Sequence, residues 1–424
     1  MTIYQVLPRL WGRGKMSDWD METLMYIKSL GVSHIWFTGI IRHASGKLYV
    51  KGNPGSPYAI SDYYDVNPYL ADDPGNRIME FEDMVARAHS IGLKVIIDFV
   101  PNHVCADYSG DIPVCDYHDY DWSDTRKIDY NAPGTWDRML QIIRFWAVKG
   151  VDGFRCDMVE LVDVNFFNWM TSKIRDEFSN IKFIAEVYGK ENYRKYLETG
   201  GFDLLYDKSG AYDSLMSVMN GGDIRALTWN WQWLSDMQPR MLNFLENHDE
   251  RRLRNPDYAA LAYASLFNNA SFMIYFGQEI DERAEESGNG RTSIFDIVKL
   301  PSMDRLRHYI HNQTRGLNKN EKECLTRHRE ILNLSADIRD WANYDLLYCN
   351  SRTVFPFLRY AADGKKHKLS IGANTSAFLI ACNFHDIEVS AEISIPEDAK
   401  KKCRLQRDSI SISVKAHDCI ILPL

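Results

Sequence analysis

Nowhere does the sequence offer the roughly 18 consecutive uncharged apolar residues that a membrane-spanning helix needs. A basic excess is also missing. Fifty Lys and Arg stand against 58 Asp and Glu, a formal charge of −8, and no Lys/Arg cluster is large enough to form a local exception. A field of that sign repels phosphate polymers and anionic lipid, so neither a nucleic-acid nor a membrane partner is expected. Paired CxxC motifs are absent too. Cys105, Cys115, Cys156, Cys324, Cys349, Cys382, Cys403 and Cys419 are scattered, which argues against a zinc site or a disulfide scaffold and for free thiols. Only Cys105 and Cys115 share one loop-rich stretch, and they would pair only in an exported protein. Met1–Arg9 carries neither the basic segment nor the apolar core of a signal peptide, so the expected location is cytoplasmic.

What is present describes a globular chain. Over 424 residues, 45% are hydrophobic and 25% charged, far from a disordered composition and long enough for a large core and two or three domains. Aromatic content is high at 12%, with 11 Trp, 23 Tyr and 19 Phe. Such rings fill cores, and they also stack on the apolar faces of sugars. Composition alone does not choose between these uses.

The first 300 residues alternate short apolar, β-branched runs with amphipathic segments, the pattern of parallel strands joined by helices. Thr2–Leu7 reads as a strand, Ser17–Asp20 as a capping box before a helix stopped by Gly31, and His34–Thr38 as the next strand. A helix over Met79–Ile91 ends at Gly92 and leads into Leu93–Val100, an apolar run suited to burial on both faces. Gly153–Met158, Phe183–Val187, Phe202–Tyr206, Met241–Leu245 and Ser271–Tyr275 complete eight strands. Eight predict a closed (β/α)₈ TIM barrel in an α/β chain. Residues 104–134 interrupt the rhythm, rich in Asp, Tyr and Pro with no convincing strand, before a helix over Thr135–Lys149. They predict a short inserted subdomain over the barrel mouth. After about residue 345, Leu369–Ile371, Ala377–Asn383, Ile387–Ile395 and Ser411–Ile421 alternate with period two, and Gly364–Lys368 looks like a hairpin tip. The expected domains are a barrel over 1–103 and 135–345, the insertion, and a C-terminal antiparallel β-sandwich over 346–424.

Barrel active sites sit at the C-terminal ends of the strands. Four strands end in acids: Asp98, Asp157, Glu186 and Asp249. Twenty-nine residues separate Asp157 from Glu186, about one strand–helix unit, and 63 separate Glu186 from Asp249, about two. The last three therefore belong to the fourth, fifth and seventh strands and converge on one mouth. Carboxylates crowded in one cleft repel, which raises the pKa of one while another stays ionised. Glycoside hydrolysis needs this division between a protonated acid and an ionised partner. Arg155 faces the same way as Asp157 by strand alternation and would hold it ionised. His103 and His248 stand beside the acids in sequence.

The segments Asp98–His103, Gly153–Asp157, Ile184–Glu186 and Phe244–Asp249 resemble, in order and wording, the four signature regions of the α-amylase family, glycoside hydrolase family 13. Ile35–Thr38, Tyr58–Tyr63 and Ile274–Glu279 extend the resemblance over nearly the whole chain. It implies a retaining mechanism with Asp157 as nucleophile, Glu186 as general acid/base and Asp249 as the third carboxylate. It further implies that Tyr58 stacks under the reacting sugar and that His103, His248, Arg155 and Asp98 serve sugar binding. Asn102 and Asp129 match positions that bind a structural calcium in many members, with hydrogen bonding of the loop by Asn102 as the alternative.

The sequence departs from the family at Glu160 and Leu161, where endo-acting members carry Lys-His, and at Met158, where smaller or β-branched residues accompany clear linkage preferences. The expected function is a retaining α-glucosidic hydrolase of starch- or glycogen-derived oligosaccharides. Alternatives are a transglycosylase or isomerase using the same intermediate, and a non-catalytic glucan-binding barrel. A metal-dependent barrel hydrolase is disfavoured, because the first strand offers no His/Asp cluster. The acidic loop Glu279–Glu286 reads as solvated rather than as a rim of the cleft. Trp36, Phe37, Phe99, Phe154 and Phe244 are expected to pack, while Tyr58, Tyr63, Tyr64, Tyr108, Tyr117, Tyr120 and Trp122 are expected at the mouth.

Overall fold

The computed structural model describes every residue except 47–53, Ile297, Arg315 and Arg404. Its barrel strands are β1 (Thr2–Val6), β2 (His34–Phe37), β3 (Lys94–Phe99), β4 (Gly153–Cys156), β5 (Lys182–Ala185), β6 (Leu204–Tyr206), β7 (Met241–Phe244) and β8 (Ser271–Tyr275). Each is parallel to the next, and β8 pairs with β1 to close the ring. Helices α1 (Met21–Lys28), α2 (Arg77–Ser90), α3 (Thr135–Val148), α4 (Val164–Glu177), α5 (Asp213–Met219), α6 (Arg225–Leu234), α7 (Tyr258–Leu266), α8 (Pro301–Ile310) and α9 (Lys319–Asp337) complete the α/β part.

Strand alternation divides the core in two. Ile3, Trp36, Ile96, Ile184, Leu204, Tyr206, Leu242, Phe244 and Met273 face the barrel axis and form one cluster. Their neighbours in sequence, among them Phe37, Ile97, Phe99, Phe154, Phe183 and Ile274, face the helices in another. Each such side chain withdrawn from water contributes about 1.5–3 kcal/mol. Inward positions one step further along the strands are polar: Gln5, Asp98 and Arg155 follow this rule, and the stacking of inward side chains in layers makes the top layer the mouth. The five rings expected to pack are all buried, with Trp36 and Phe244 inward and Phe37, Phe99 and Phe154 outward.

The cap of α1 differs from expectation. Asp20, directly before the first helical residue, accepts the Thr23 N–H at 2.9 Å, whereas Ser17 lies in a preceding 3₁₀ turn and donates its hydroxyl to Asp72. Gly31 and Gly92 stop their helices with φ of +76° and +74°. The insertion contains a strand pair that its composition did not suggest, His103–Cys105 antiparallel to Thr125–Lys127.

The C-terminal strands are β9 (Asn343–Leu346), β10 (Tyr348–Cys349), β11 (Val354–Tyr360), β12 (Ala377–Asn383), β13 (Val389–Ser394), β14 (Ser409–Val414) and β15 (Asp418–Pro423), with helix α10 (Glu397–Cys403) between β13 and β14. They form antiparallel sheets β9-β11-β12-β15 and β10-β13-β14, whose facing residues Leu358, Leu379, Ile393 and Ile412 share a core. Residues 369–371, expected as a strand, belong instead to the turn joining His367–Lys368 to Asn374–Thr375. The run expected as one strand over Ser411–Ile421 is two, broken at His417, whose φ is +49°. β11 escaped notice because Pro356 interrupts its pattern. Its other side chains are nevertheless buried.

Candidate active site

β3 and β4 are in register with Asp98 opposite Arg155, and both side chains turn into the barrel. Arg155 is wholly buried. Its Nη1 donates to Asp157 Oδ1 and, at 3.1 Å, to Tyr58 Oη, and lies 3.7 Å from Asp98 Oδ1. Nη2 lies 2.6 Å from Glu186 Oε1. One guanidinium thus touches the acids of three consecutive strands. The rings of Trp36, Tyr58 and Tyr206, with centroids 5.5, 5.4 and 5.6 Å from its central carbon, wall it in by cation–π contact. Burial alone would lower its pKa, but Glu186, Tyr58, Tyr206 and Asp157 outweigh it and drive the value well above the ordinary one.

The acids divide as their surroundings require. Burial, with Asp157 and Asp249 nearby, pushes Glu186 up to about 8 against the pull of Arg155. Asp98 is raised by burial to about 6, moderated by Arg155 and by hydrogen bonds from Trp36 Nε1 (3.1 Å) and Tyr58 Oη (3.1 Å). Burial also raises Asp157, while the charge and hydrogen bond of Arg155 oppose the rise. Glu186, at about 8, keeps its proton at neutral pH. Its Oε2 accepts the backbone N–H of Met158 at 2.9 Å, a group aimed there by a left-handed residue (φ +44°) immediately after Asp157.

Asp249 occupies the loop beyond β7, and its side chain is 38% exposed. It is the member of the group most open to a ligand. Burial raises its carboxyl, with Arg155 and Arg291 opposing. His248 links it to the rest: Nε2 lies 3.2 Å from Asp249 Oδ2 and 2.9 Å from Tyr58 Oη, and the amide nitrogen of Gln5 faces Nδ1 at 2.7 Å. That arrangement leaves the proton on Nε2 of an imidazole that burial keeps neutral.

Asp98, Arg155, Asp157, Glu186, Asp249, Tyr58 and His248 thus meet in one cluster. His103 is buried nearby, its ring 5.3 Å from that of Trp122, and burial lowers its pKa to about 4. Trp122 in turn packs at 4.8 Å on the exposed Tyr120. The other expected mouth aromatics separate. Tyr63 is core, its hydroxyl donating to the carbonyls of Val100 and His103. Tyr64 lies against Phe145 of α3, on the helical exterior. Tyr108 packs half-buried against the core, and Tyr117 is exposed.

The side chains of Asn102 and Asp129, the expected calcium positions, take different hydrogen-bond partners. Asp129 turns its carboxylate to the Asn131 N–H at 2.9 Å, and Asn102 pairs instead with Asp119 and Lys127. Among the described residues no group of three or more converging His, Cys, Asp or Glu side chains includes Asp129. Glu279–Glu286 is not wholly solvated: Glu279 is buried and accepts from Tyr4 (2.6 Å) and Tyr26 (3.1 Å), and Glu282 is buried against Ser302.

Tyr188 borders the cluster without having been expected there, and Glu160, noted only as a departure from the family, supports it. The Tyr188 hydroxyl donates to Glu186 Oε1 at 3.3 Å, and its side chain is partly open to solvent. Glu160 holds that loop, accepting the N–H of Tyr188 (2.7 Å) and of Gly189 (3.2 Å) and the Asn192 amide (2.6 Å). The sequence signal was an aromatic two positions past a strand-end acid, and an acid where relatives carry Lys.

The sequence profile of the α-amylase catalytic domain matches residues 18–124. Alpha-amylase MalA of Haloarcula japonica is 30% identical over 313 residues, 66% of this chain and 44% of that protein. The salivary alpha-glucosidase of Anopheles gambiae is 26% identical over 51% of this chain and 44% of its own. The chain spans about half the length of the curated relatives it matches. Among solved structures, a maltogenic α-amylase from Thermotoga neapolitana superposes with a TM-score of 0.73 at 22% identity, covering 100% of this chain and 96% of that one. An α-amylase from Lactobacillus plantarum does so at 0.73 and 20%, covering 99% and 98%. Signature segments that resemble those of the α-amylases, mounted in the same order on a closed barrel, together with these relatives, make the chain similar to the α-amylase family in sequence and in fold.

Proposed function

We propose that this chain is a retaining α-glucosidic hydrolase of starch- or glycogen-derived oligosaccharides. The observation that carries the reading is the single buried guanidinium shared by Asp157 and Glu186: it donates a hydrogen bond to Asp157 that opposes the rise burial causes there, while Glu186 is pushed up to about 8. Asp157, bonded to Arg155, attacks the anomeric carbon as the carboxylate. Glu186 gives its proton to the leaving oxygen, and the sugar becomes an ester of Asp157. With its proton gone, Glu186 takes one from water, which then opens the ester and restores the α-configuration. Asp249, at the open side, accepts hydroxyls of the distorted sugar, and Tyr58 and His103 line its place. The barrel of residues 1–103 and 135–345 carries this chemistry, and the segment 104–134 borders the mouth with Trp122 and Tyr120. The scattered cysteines support a cytoplasmic location.

A transglycosylase is the second reading, favoured by relatives named alpha-1,4-glucan:maltose-1-phosphate maltosyltransferase, 26% identical over 48% of this chain in Cereibacter sphaeroides. A product time course on maltoheptaose, isomaltose, panose and sucrose, with the first anomer read by NMR, tests both. Shorter sugars released first as the α-anomer are expected. Products longer than the substrate establish transfer, first release of the β-anomer rejects retention, and no turnover of any α-glucoside rejects the enzymatic reading.

A further inference from the structure

The antiparallel pair formed by His103–Cys105 and Thr125–Lys127 sets Lys127 opposite His103, where the insertion rejoins the barrel. From there its Nζ reaches three oxygens from three segments: Asp119 Oδ2 at 2.8 Å, Asn102 Oδ1 at 3.3 Å and the Leu161 carbonyl at 3.4 Å. Asn102 belongs to the loop after β3, Asp119 to the middle of the insertion, and Leu161 to the turn after β4 that also carries Met158. An ammonium has three N–H donors, and each has an acceptor. The Asn102 amide closes the network by donating to Asp119 Oδ2 at 2.8 Å. Burial would raise the Asp119 carboxyl, but the hydrogen bonds of Lys127 and Asn102 prevail and hold it below its ordinary value.

A calcium ion would need roughly six to eight oxygens at about 2.3–2.6 Å. Three oxygens converge here, one of them a carboxylate, and a cation already lies among them. A second positive charge in that cradle would meet the ammonium at close range. Asp129 is engaged by Asn131.

We propose that the Lys127 ammonium is this chain's built-in cation at the junction of the insertion with the loops after β3 and β4, taking the place of calcium, so that the fold binds no calcium there and needs none. Through Asn102, whose Nδ2 also lies 3.3 Å from His103 Nδ1, the same cation steadies a residue of the mouth. Lys127 is a positioning residue.

Metal analysis and thermal melting of the full chain, with EDTA and with added calcium chloride, supply the first test. Expected are calcium well below one ion per chain and coincident melting curves. Near-stoichiometric calcium, or a melting temperature lowered by EDTA and restored by calcium, overturns the proposal. The second test compares Lys127→Met with wild type by melting and by limited proteolysis. Loss of the cation should lower the melting temperature by about 2–5 °C and speed cleavage within residues 104–134. A variant that melts and is cleaved like wild type overturns the tie. Should Lys127→Met not accumulate, Asp119→Asn keeps the shape, removes the anion, and should move both readouts the same way by less; unchanged readouts there also overturn it.

Discussion

Two buried arginines show how differently the same side chain is used in the mouth of the barrel and in its seam with the terminal sheets. Arg359 of β11 donates to the carbonyls of Leu266 (2.7 Å), Asn268 (2.8 Å), Trp341 (2.5 Å) and Ile338 (3.3 Å), at and just beyond the ends of α7 and α9. Its partners are dipoles without net charge, so burial dominates and its pKa falls to about 10. Arg155, buried as deeply, faces anions and is driven the other way. The seam arginine caps helix ends and holds two parts together. The mouth arginine gathers carboxylates that would otherwise repel, and so keeps in one place a charge cluster with no structural purpose that dipoles could not serve more cheaply.

Removing the two acids proposed to react breaks the comparison most severely. Asp157→Asn and Glu186→Gln should each lower kcat by about 10³-fold or more while circular dichroism stays unchanged. Activity within tenfold of wild type in either variant refutes the assigned roles. Exchanging the arginines separates folding from function. Arg359→Met should cost about 3 kcal/mol or more in urea unfolding by leaving four carbonyls short of a donor, with kcat/KM per folded molecule preserved. Arg155→Met should abolish most activity and make stability fall more steeply with pH, since the acids must then ionise without their counter-ion. Equal effects of the two variants on activity would remove the distinction.

The pH dependence sharpens it further. The carboxyl of Glu186 is raised from an ordinary 4.5 to about 8, so its protonated form favours the fold fully below pH 4.5, and that contribution is lost as the pH rises toward 8. The kcat/KM profile should fall on its basic limb near pH 8, and Glu186→Gln should melt above wild type at pH 8 with the gap closing toward pH 4.5. A gap that widens toward acid contradicts this sign. The smallest effect belongs to Glu160→Gln, which keeps the shape but loosens the loop bearing Tyr188: kcat/KM should drop by about five- to tenfold, with melting nearly unchanged.

Strand alternation made the cluster legible in advance. Asp98, Arg155 and Glu186 lie at inward positions of strands whose apolar runs are plain, and seven matching segments named their relatives. What escaped the sequence depends on distant parts of the chain meeting. Asn102, Asp119, Lys127 and Leu161 span 60 residues, and only the folded insertion brings an ammonium among their oxygens. Tyr63 and Tyr58 look alike in one short motif, yet the turn of the chain sends one hydroxyl to Val100 and the other to Asp98. Ser17 and Asp20 are both good caps, and the choice fell to the register of α1, which begins one residue after Asp20.

β12 is buried along its whole length, with Leu379 and Ala381 facing the sandwich and Phe378, Ile380 and Cys382 facing the barrel side, where α7 has no exposed residue among Ala259–Leu266. Neither body can open along this strand without wetting the other. The terminal sheets therefore behave as the barrel's outer wall rather than as an appended module, and loss of either should carry the whole chain through one cooperative transition.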